Sequence, residues 1–130
     1  MRQDTGNAVV DHLKFVIGPP ERRRRSVWYI VYEDDGQAHL HFPVDEVSPE
    51  PTLDDCVKVS DVFAEAIQTA GAEASLVVAI TRPGPASVTA SDRLWYRAAQ
   101  QVCAERQVPL LGVHVMTAAG HRQIFLDDVL

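Results

Sequence analysis

The chain has few cysteines: Cys56 and Cys103 are the two among its 130 residues. They fall in separate helical patterns, and no Cys-x-x-Cys or Cys/His spacing occurs, which excludes a zinc site of the finger type. We expect both to be reduced thiols of the core. The chain also has no Gly-x-Ser-x-Gly sequence and no P-loop, so neither motif indicates a hydrolase or a nucleotide-binding protein.

Long apolar runs are missing as well. No stretch approaches the roughly 18 consecutive apolar residues of a membrane span. The first twenty residues include Asp4 and Asp11 and no long apolar run, which is unlike a signal peptide, so we expect a cytoplasmic protein without membrane contact. Hydrophobic residues make up 46% and charged residues 23% of the chain, which is ordinary for one globular domain with a single core.

Positive charge is in deficit. The formal net charge is -6, and acidic residues crowd positions 33–55. One basic run opposes them, and it consists of Arg22, Arg23, Arg24 and Arg25. Such a run can hold a phosphate backbone, so a nucleic-acid-associated accessory protein is one alternative function. Because the chain as a whole would repel a polyanion, we expect no nucleic-acid partner. We interpret the run as a solvated linker, or as charges that keep a sheet edge from pairing with another chain.

The order of the predicted elements is hairpin, helix, strand, helix, hairpin. The runs VWYIVY and SLVVAI predict strands that are buried on both faces, and an Asp35-Gly36 turn leads from the first of them into AHLHFPV. The two helices should begin near Thr52 and Thr89, since each threonine opens a Thr-x-x-Asp capping box. The pattern predicts a three-layer α/β/α domain with a mixed sheet, in which strands joined through helices run parallel.

We expect a single α/β domain over residues 26–130, preceded by an N-terminal segment, residues 1–25, that ends in the basic linker. Within this segment the run AVVDHLKFVIG predicts either a short helix followed by a strand or one edge strand. Pro19 and Pro20 end the run, because proline cannot continue either element.

The stretch ITRPGPASVTASD joins the second buried strand to the second helix. Ligands of open α/β sheets bind at this carboxyl end of the strands. We expect Arg82, just past the strand, and Asp92, in the first turn of the helix, to face the same crevice. They either form an ion pair, or Arg82 and the helix N-terminus bind a small anion beside Gly84 and Thr89.

Histidines 39 and 41 alternate with apolar residues, so both should point to one face of their strand. His39 and His41 can ligate a metal at this spacing, with Asp92 as a third ligand if the sheet brings it near. A metal-dependent hydrolase with this relocated site is therefore a second alternative function. The first interpretation is a polar outer face on an edge strand, without metal or cofactor. We expect His114 to be a hydrogen-bonded packing histidine and His121 to be solvated.

The order of strand, Pro-rich loop and Thr-x-x-Asp helix resembles the core of JAMM/MPN metallopeptidase-like domains, in particular the RadC type, over roughly residues 27–126. Those domains hold zinc with two histidines of His-x-His-Pro and the aspartate of Ser-x-x-Asp. Here Ile80 and Arg82 stand at the histidine positions, while Pro83, Thr89 and Asp92 match the motif. Isoleucine and arginine cannot ligate zinc, so the resemblance implies the fold without the peptidase chemistry.

The general-base glutamate of that family lies on the opening hairpin, where this chain has no glutamate until Glu46. A closer likeness is to a group of small, uncharacterised actinobacterial proteins with Val-Trp-Tyr/Phe strands, a Pro-Val/Ile-Asp-Asp/Glu-Val loop, Arg-Pro-Gly and Thr-x-x-Asp-Arg-x-Trp. That likeness brings no assigned activity. We therefore expect a pseudoenzyme: a non-catalytic interaction or scaffold domain whose partner is another protein or a second copy of the chain.

Overall fold

The computed structural model describes residues 2–33, 38–70 and 73–129, and only the backbone of residues 2–7, 38 and 39. The predicted turn at Asp35-Gly36 lies outside these ranges. The strands are β1 (Ser26–Tyr32), β2 (Ala38–Asp45), β3 (Ser75–Thr81), β4 (Leu110–Thr117) and β5 (Gly120–Ile124). The helices are α1 (Arg2–Val16), α2 (Pro19–Arg22), α3 (Leu53–Ala70) and α4 (Ala90–Arg106), and a 3-10 turn follows at Leu126–Asp128.

The five strands form one mixed sheet in the order β2-β1-β3-β4-β5. Strand β1 pairs antiparallel with both β2 and β3, β3 pairs parallel with β4, and β4 pairs antiparallel with β5. Since β2 and β3 both run opposite to β1, they share one direction, and α3 carries the chain past β1. Strands joined through helices therefore run parallel, and the predicted mixed sheet with a hairpin at each end is confirmed.

Helices α3 and α4 cover one face of the sheet. Both begin at the predicted capping boxes: the Asp55 backbone N–H donates to Thr52 Oγ1 at 3.1 Å, and Thr89 forms the same arrangement with Asp92. Under α3 the ring of Tyr29 stacks on the ring of Phe63 with centroids 4.3 Å apart. This face holds the larger core, whose apolar burial is the main force that keeps the two helices on the sheet.

Helix α1 covers the other face. The side chains buried there are Ile30, Tyr32, Val77, Ala79 and Met116 from the sheet and Val9, Leu13 and Ile17 from the N-terminal segment. The prediction of a strand within this segment is wrong, because Val9, Leu13 and Ile17 recur every fourth residue and form one apolar stripe of a helix and its end. Among the described residues, no helix combines the length and apolar content that crossing a bilayer demands.

Removing the side chain that anchors α1 tests whether this second layer belongs to the folded unit. Leu13 is 0% exposed, whereas Phe15, two residues away, is 87% exposed. We expect Leu13→Ala to lower the free energy of unfolding by about 2–5 kcal/mol and Phe15→Ala to change it by less than about 0.5 kcal/mol. Urea denaturation followed by circular dichroism measures both. Equal, small effects would mean that α1 does not contribute to the core.

Candidate functional site

Arg82 and Asp92 form a buried ion pair at the carboxyl end of β3. Arg82 Nε donates to Asp92 Oδ1 at 3.1 Å, and Arg82 Nη2 donates to Asp92 Oδ2 at 2.8 Å. The two residues are 3% and 0% exposed. The capping box fixes the carboxylate from its other side, since Asp92 Oδ2 also accepts from the Thr89 backbone N–H at 2.9 Å. The predicted contact between the strand end and the helix start is thus present.

The remaining donors of the guanidinium hold the loop around it. Arg82 Nη1 donates to the carbonyls of Pro83 at 3.2 Å and Pro85 at 2.8 Å, and Nη2 donates to the Ser87 carbonyl at 2.7 Å. An arginine has five side-chain N–H groups, and each one here has an acceptor within the protein. Gly84 lies between the two proline carbonyls with φ of +94°, a conformation that glycine adopts without strain.

The structure brings together the four residues for which the sequence predicts a ligand site: Arg82, Gly84, Thr89 and Asp92. It joins them to each other by the ion pair, the capping box and the wrapped loop. An anion at Arg82 would have to displace a carbonyl or the Asp92 carboxylate, because the guanidinium has no spare donor. In this arrangement the residues stabilise the loop and the start of α4.

A double-mutant cycle measures this pair. Either Arg82→Ala or Asp92→Ala leaves one buried charge without its partner, so each should cost about 3–5 kcal/mol of unfolding free energy, more than the roughly 1 kcal/mol of a helix cap alone. The double variant should cost less than the sum of the singles. Urea denaturation is the measurement, and Lys58→Ala is the matched control, because Lys58 and Asp54 form an ion pair with side chains 74% and 73% exposed. A strictly additive double variant would contradict a coupled pair.

The predicted relocated metal site is not assembled around Asp92. His41 lies opposite Ile30 on the sheet face that α1 covers, while Asp92 starts α4 on the other face. The side chain of His39 lies outside the described residues. His41 contacts His12 of α1 instead, with 3.3 Å between their Nε2 atoms. Within the part of the chain that the structure describes, no group of three or more His, Cys, Asp or Glu is arranged to hold a metal ion.

His114 and His121 form a second histidine pair. His114 Nδ1 lies 2.9 Å from His121 Nε2, and the rings stack with centroids 5.1 Å apart. His114 is a buried packing histidine as predicted, but the prediction that His121 is solvated is wrong. The β4–β5 register places His121 opposite Met116. Met116 and His114 are two residues apart on β4 and point to the same face of the sheet, so His121 lies beside His114. The short turn between the two strands is the sequence signal that fixes this register.

Burial lowers the pKa of His114 to about 4, and the neighbouring His121 contributes to the shift. Burial also lowers the pKa of His121. An unfolded histidine has a pKa near 6.5. Between these values the unfolded chain binds more protons than the folded chain, so the stability present above about pH 6.5 is lost as the pH falls towards 4.

The free energy of unfolding should therefore fall by up to about 1.4 kcal/mol per pH unit through His114 as the pH is lowered from 6.5. Urea titrations at several pH values between 7.5 and 4.5 measure this slope. His114→Gln removes the titrating ring, so its slope should be shallower than that of the parent chain. Identical slopes in the two proteins would contradict a neutral, buried His114.

The arginine run does not form a uniform basic surface. Arg22 Nε donates to the Ile17 carbonyl at 2.8 Å and its Nη2 to the Lys14 carbonyl at 3.2 Å, so Arg22 caps the end of α1. Arg24 and Arg25 line an open cavity of about 540 Å³ together with Ser26, Asp45 and Glu46. Two carboxylates thus face two of the arginines for which the sequence suggests phosphate binding, and they oppose a polyanion there.

Both cysteines are buried and free, as expected of core thiols. Burial raises the pKa of Cys56 to about 12 and that of Cys103 to about 11. Since the thiolate is the reactive form of cysteine, neither side chain is suited to act as a nucleophile at neutral pH.

An open apolar groove, which sequence reasoning did not find, lies between α3 and the edge strand β2. Its volume is about 320 Å³. The residues lining it are Val31, Glu33, Leu40, Phe42, Val62, Phe63, Ala66, Ile67, Ala70 and Ala74. The available signal was that Leu40 and Phe42 stand on an edge strand, where no further strand or helix covers the rim.

No family model, curated protein or solved structure matches the chain. Its candidate sites are therefore defined by side-chain geometry: the Arg82–Asp92 pair, the two histidine pairs and the groove. The ion pair is saturated by its own contacts, and His114 is buried. The groove is the apolar site that opens to solvent.

Proposed function

We propose that this chain is a non-catalytic protein-interaction module, built on a JAMM/RadC-like α/β domain that has lost its zinc site. The resemblance implies that Arg82 stands where that family has a zinc ligand, and Arg82 contacts both carboxylate oxygens of Asp92. A catalytic zinc site needs three protein ligands and an open position for water. A saturated guanidinium offers neither, which supports a structural role for this loop.

The observation that carries the interaction role is the exposure of the groove. Val62 is 61% exposed, Leu40 51% and Phe42 39%, and they line the groove together. Single apolar side chains on a surface need no explanation, but a contiguous apolar patch marks a site of interaction. Burying these three side chains against a partner would remove apolar area from water, which favours association.

The shape of the groove fits a helical segment of another protein. Val62, Ala66 and Ala70 recur every fourth residue of α3 and form a stripe about 12 Å long at 1.5 Å per residue. Opposite the stripe, the ring of Phe42 packs on the ring of Phe63 with centroids 5.4 Å apart. A groove of this length between a helix and a strand accepts about two turns of an amphipathic helix, a recurring mode of peptide recognition.

The charge around the groove selects among such helices. Among the described residues that line it, Glu33 carries a charge, and the exposed Glu73 precedes the lining residue Ala74. The chain as a whole carries a formal charge of -6. A partner helix with an apolar face and flanking lysines or arginines would therefore be attracted, whereas an acidic helix would be repelled.

A pair of synthetic helices tests the proposal. Both peptides have about five turns and one leucine face; one carries lysines on the polar face and the other carries glutamates. We expect the lysine peptide to bind the full chain, as measured by fluorescence anisotropy, and the glutamate peptide to bind at least tenfold more weakly. Val62→Asp should weaken binding of the lysine peptide at least tenfold, because it puts a charge into the apolar groove. Phe15→Asp, on the exposed side of α1, is the matched control and should bind like the parent chain.

Two outcomes would contradict this function, and a third would replace the basic helix with another occupant of the groove. Equal weakening by Val62→Asp and Phe15→Asp would mean that the peptide adheres to apolar surface in general. Binding of a small apolar dye in the groove without binding of either peptide would indicate a small-molecule pocket. A dimer in sedimentation that Val62→Asp dissociates would identify the occupant as a second copy of the chain.

A further inference from the structure

Helix α1 and the edge strand β2 bring two histidines face to face. His12 lies half-buried on α1, and His41 lies exposed on β2. Their Nε2 atoms are 3.3 Å apart, and their ring centroids are 5.1 Å apart with the planes tilted by 32°. Both rings therefore present the same nitrogen towards one point at the rim of the sheet.

The spacing of the two nitrogens matches a metal-binding pair. Zinc–nitrogen bonds are about 2.0–2.1 Å long, and two ligands at the corners of a tetrahedron of that size lie about 3.3–3.4 Å apart. The 3.3 Å between His12 Nε2 and His41 Nε2 falls at this value. For a cation to contact both atoms at once, the proton that His41 Nε2 donates to His12 Nε2 has to move to His41 Nδ1, which leaves His41 a neutral ring with a free lone pair on Nε2.

Tyr32 fixes the orientation of the His12 ring. Its hydroxyl lies 2.9 Å from His12 Nδ1, and the tyrosine ring packs edge-on to the imidazole. When Nδ1–H donates to Tyr32, the lone pair of His12 is left on Nε2, on the side of His41. Metal-binding histidines commonly have such a partner on the second nitrogen, which sets the tautomer. Tyr32 is thus a positioning residue for His12.

The second histidine pair provides an internal contrast. His114 and His121 have the same centroid separation of 5.1 Å, but their contact joins Nδ1 of one ring to Nε2 of the other at 2.9 Å. That distance is an ordinary hydrogen bond and shorter than the edge of a metal tetrahedron. His114 is also buried, which leaves a cation no room for water ligands.

We propose that His12 and His41 form a two-histidine chelate for a divalent transition-metal ion of the zinc and copper class. Imidazole nitrogens suit these ions, and copper(II) binds such a site more tightly than zinc in the general order of affinities. Water completes the coordination, since the described residues supply no third side-chain ligand.

The bound ion ties α1 to the edge of the sheet. His12 belongs to the helix that covers the second face, and His41 belongs to the outermost strand on one side. A cation held by both stabilises the folded chain, because the unfolded chain does not keep the two rings together. The site shares no residue with the groove, so it stands independently of the proposed function.

The test uses the full chain without a histidine tag, stripped with a chelator and titrated with zinc chloride in a calorimeter. We expect one zinc per chain, a higher melting temperature with zinc, and at least tenfold weaker binding in His12→Gln and in His41→Ala. Tyr32→Phe should weaken binding about tenfold by releasing the His12 ring. His121→Ala is the matched control and should bind zinc like the parent chain.

Absence of zinc binding to the parent chain would overturn the proposal, and so would His12→Gln and His41→Ala variants that bind zinc as tightly as the parent chain. Binding that is lost in His121→Ala but kept in His41→Ala would place the ion at the other pair and would also overturn it. His41→Ala alters an exposed position on an edge strand, so its loss of binding can be compared with an unchanged circular dichroism spectrum. That comparison separates lost ligation from unfolding.

Discussion

The central strands β1 and β3 carry apolar side chains on both of their faces, so the sheet has to be covered twice. Helices α3 and α4 cover one face with residues from the middle of the chain. The second face would remain in water without α1, since the other described helices with apolar stripes lie on the opposite side. The packing of α1 on this face also brings His12 to the edge strand.

The same sheet sets the place of the buried ion pair. Strand β3 ends in the interior, so the side chain that follows it enters a region of low dielectric where an isolated charge is unfavourable. Asp92 of α4 neutralises the guanidinium, and three carbonyls of the loop accept its remaining protons. The hydrogen bonds of the Arg82 guanidinium thus set the conformation of the loop, and the Asp92 carboxylate that pairs with it also caps the start of α4.

Much of the fold was predictable because its signals are local. The apolar runs of β1 and β3 and the capping boxes at Thr52 and Thr89 each lie within a few residues of sequence. Arg82 and Asp92 were also predictable, since they lie only ten positions apart, at the two ends of one strand-to-helix loop. The stripe on α1 was ambiguous because its apolar spacing also resembles an edge strand, and only the uncovered second face decides between the two.

The groove and the His12–His41 pair could not be predicted, because each depends on how helices pack against the edge strand and not on local sequence. His12 meets His41 only if α1 packs beside β2, and local patterns contain no information on that neighbour. Leu40 was assigned correctly to the face opposite His41, but its exposure depends on where α3 crosses the sheet. His121 appeared solvated because its partner becomes evident only when the register of the last hairpin is known.

The saturated Arg82 loop also constrains how this sequence can drift. Replacing Arg82 or Asp92 alone leaves the other residue as a buried charge without a partner. Both residues therefore have to change together for the loop to adopt another stable arrangement. A shorter side chain at position 82 would leave the three loop carbonyls without their donors. Single substitutions at either position therefore lower the stability of the loop before a second substitution can compensate, so other arrangements of this loop are hard to reach by mutation.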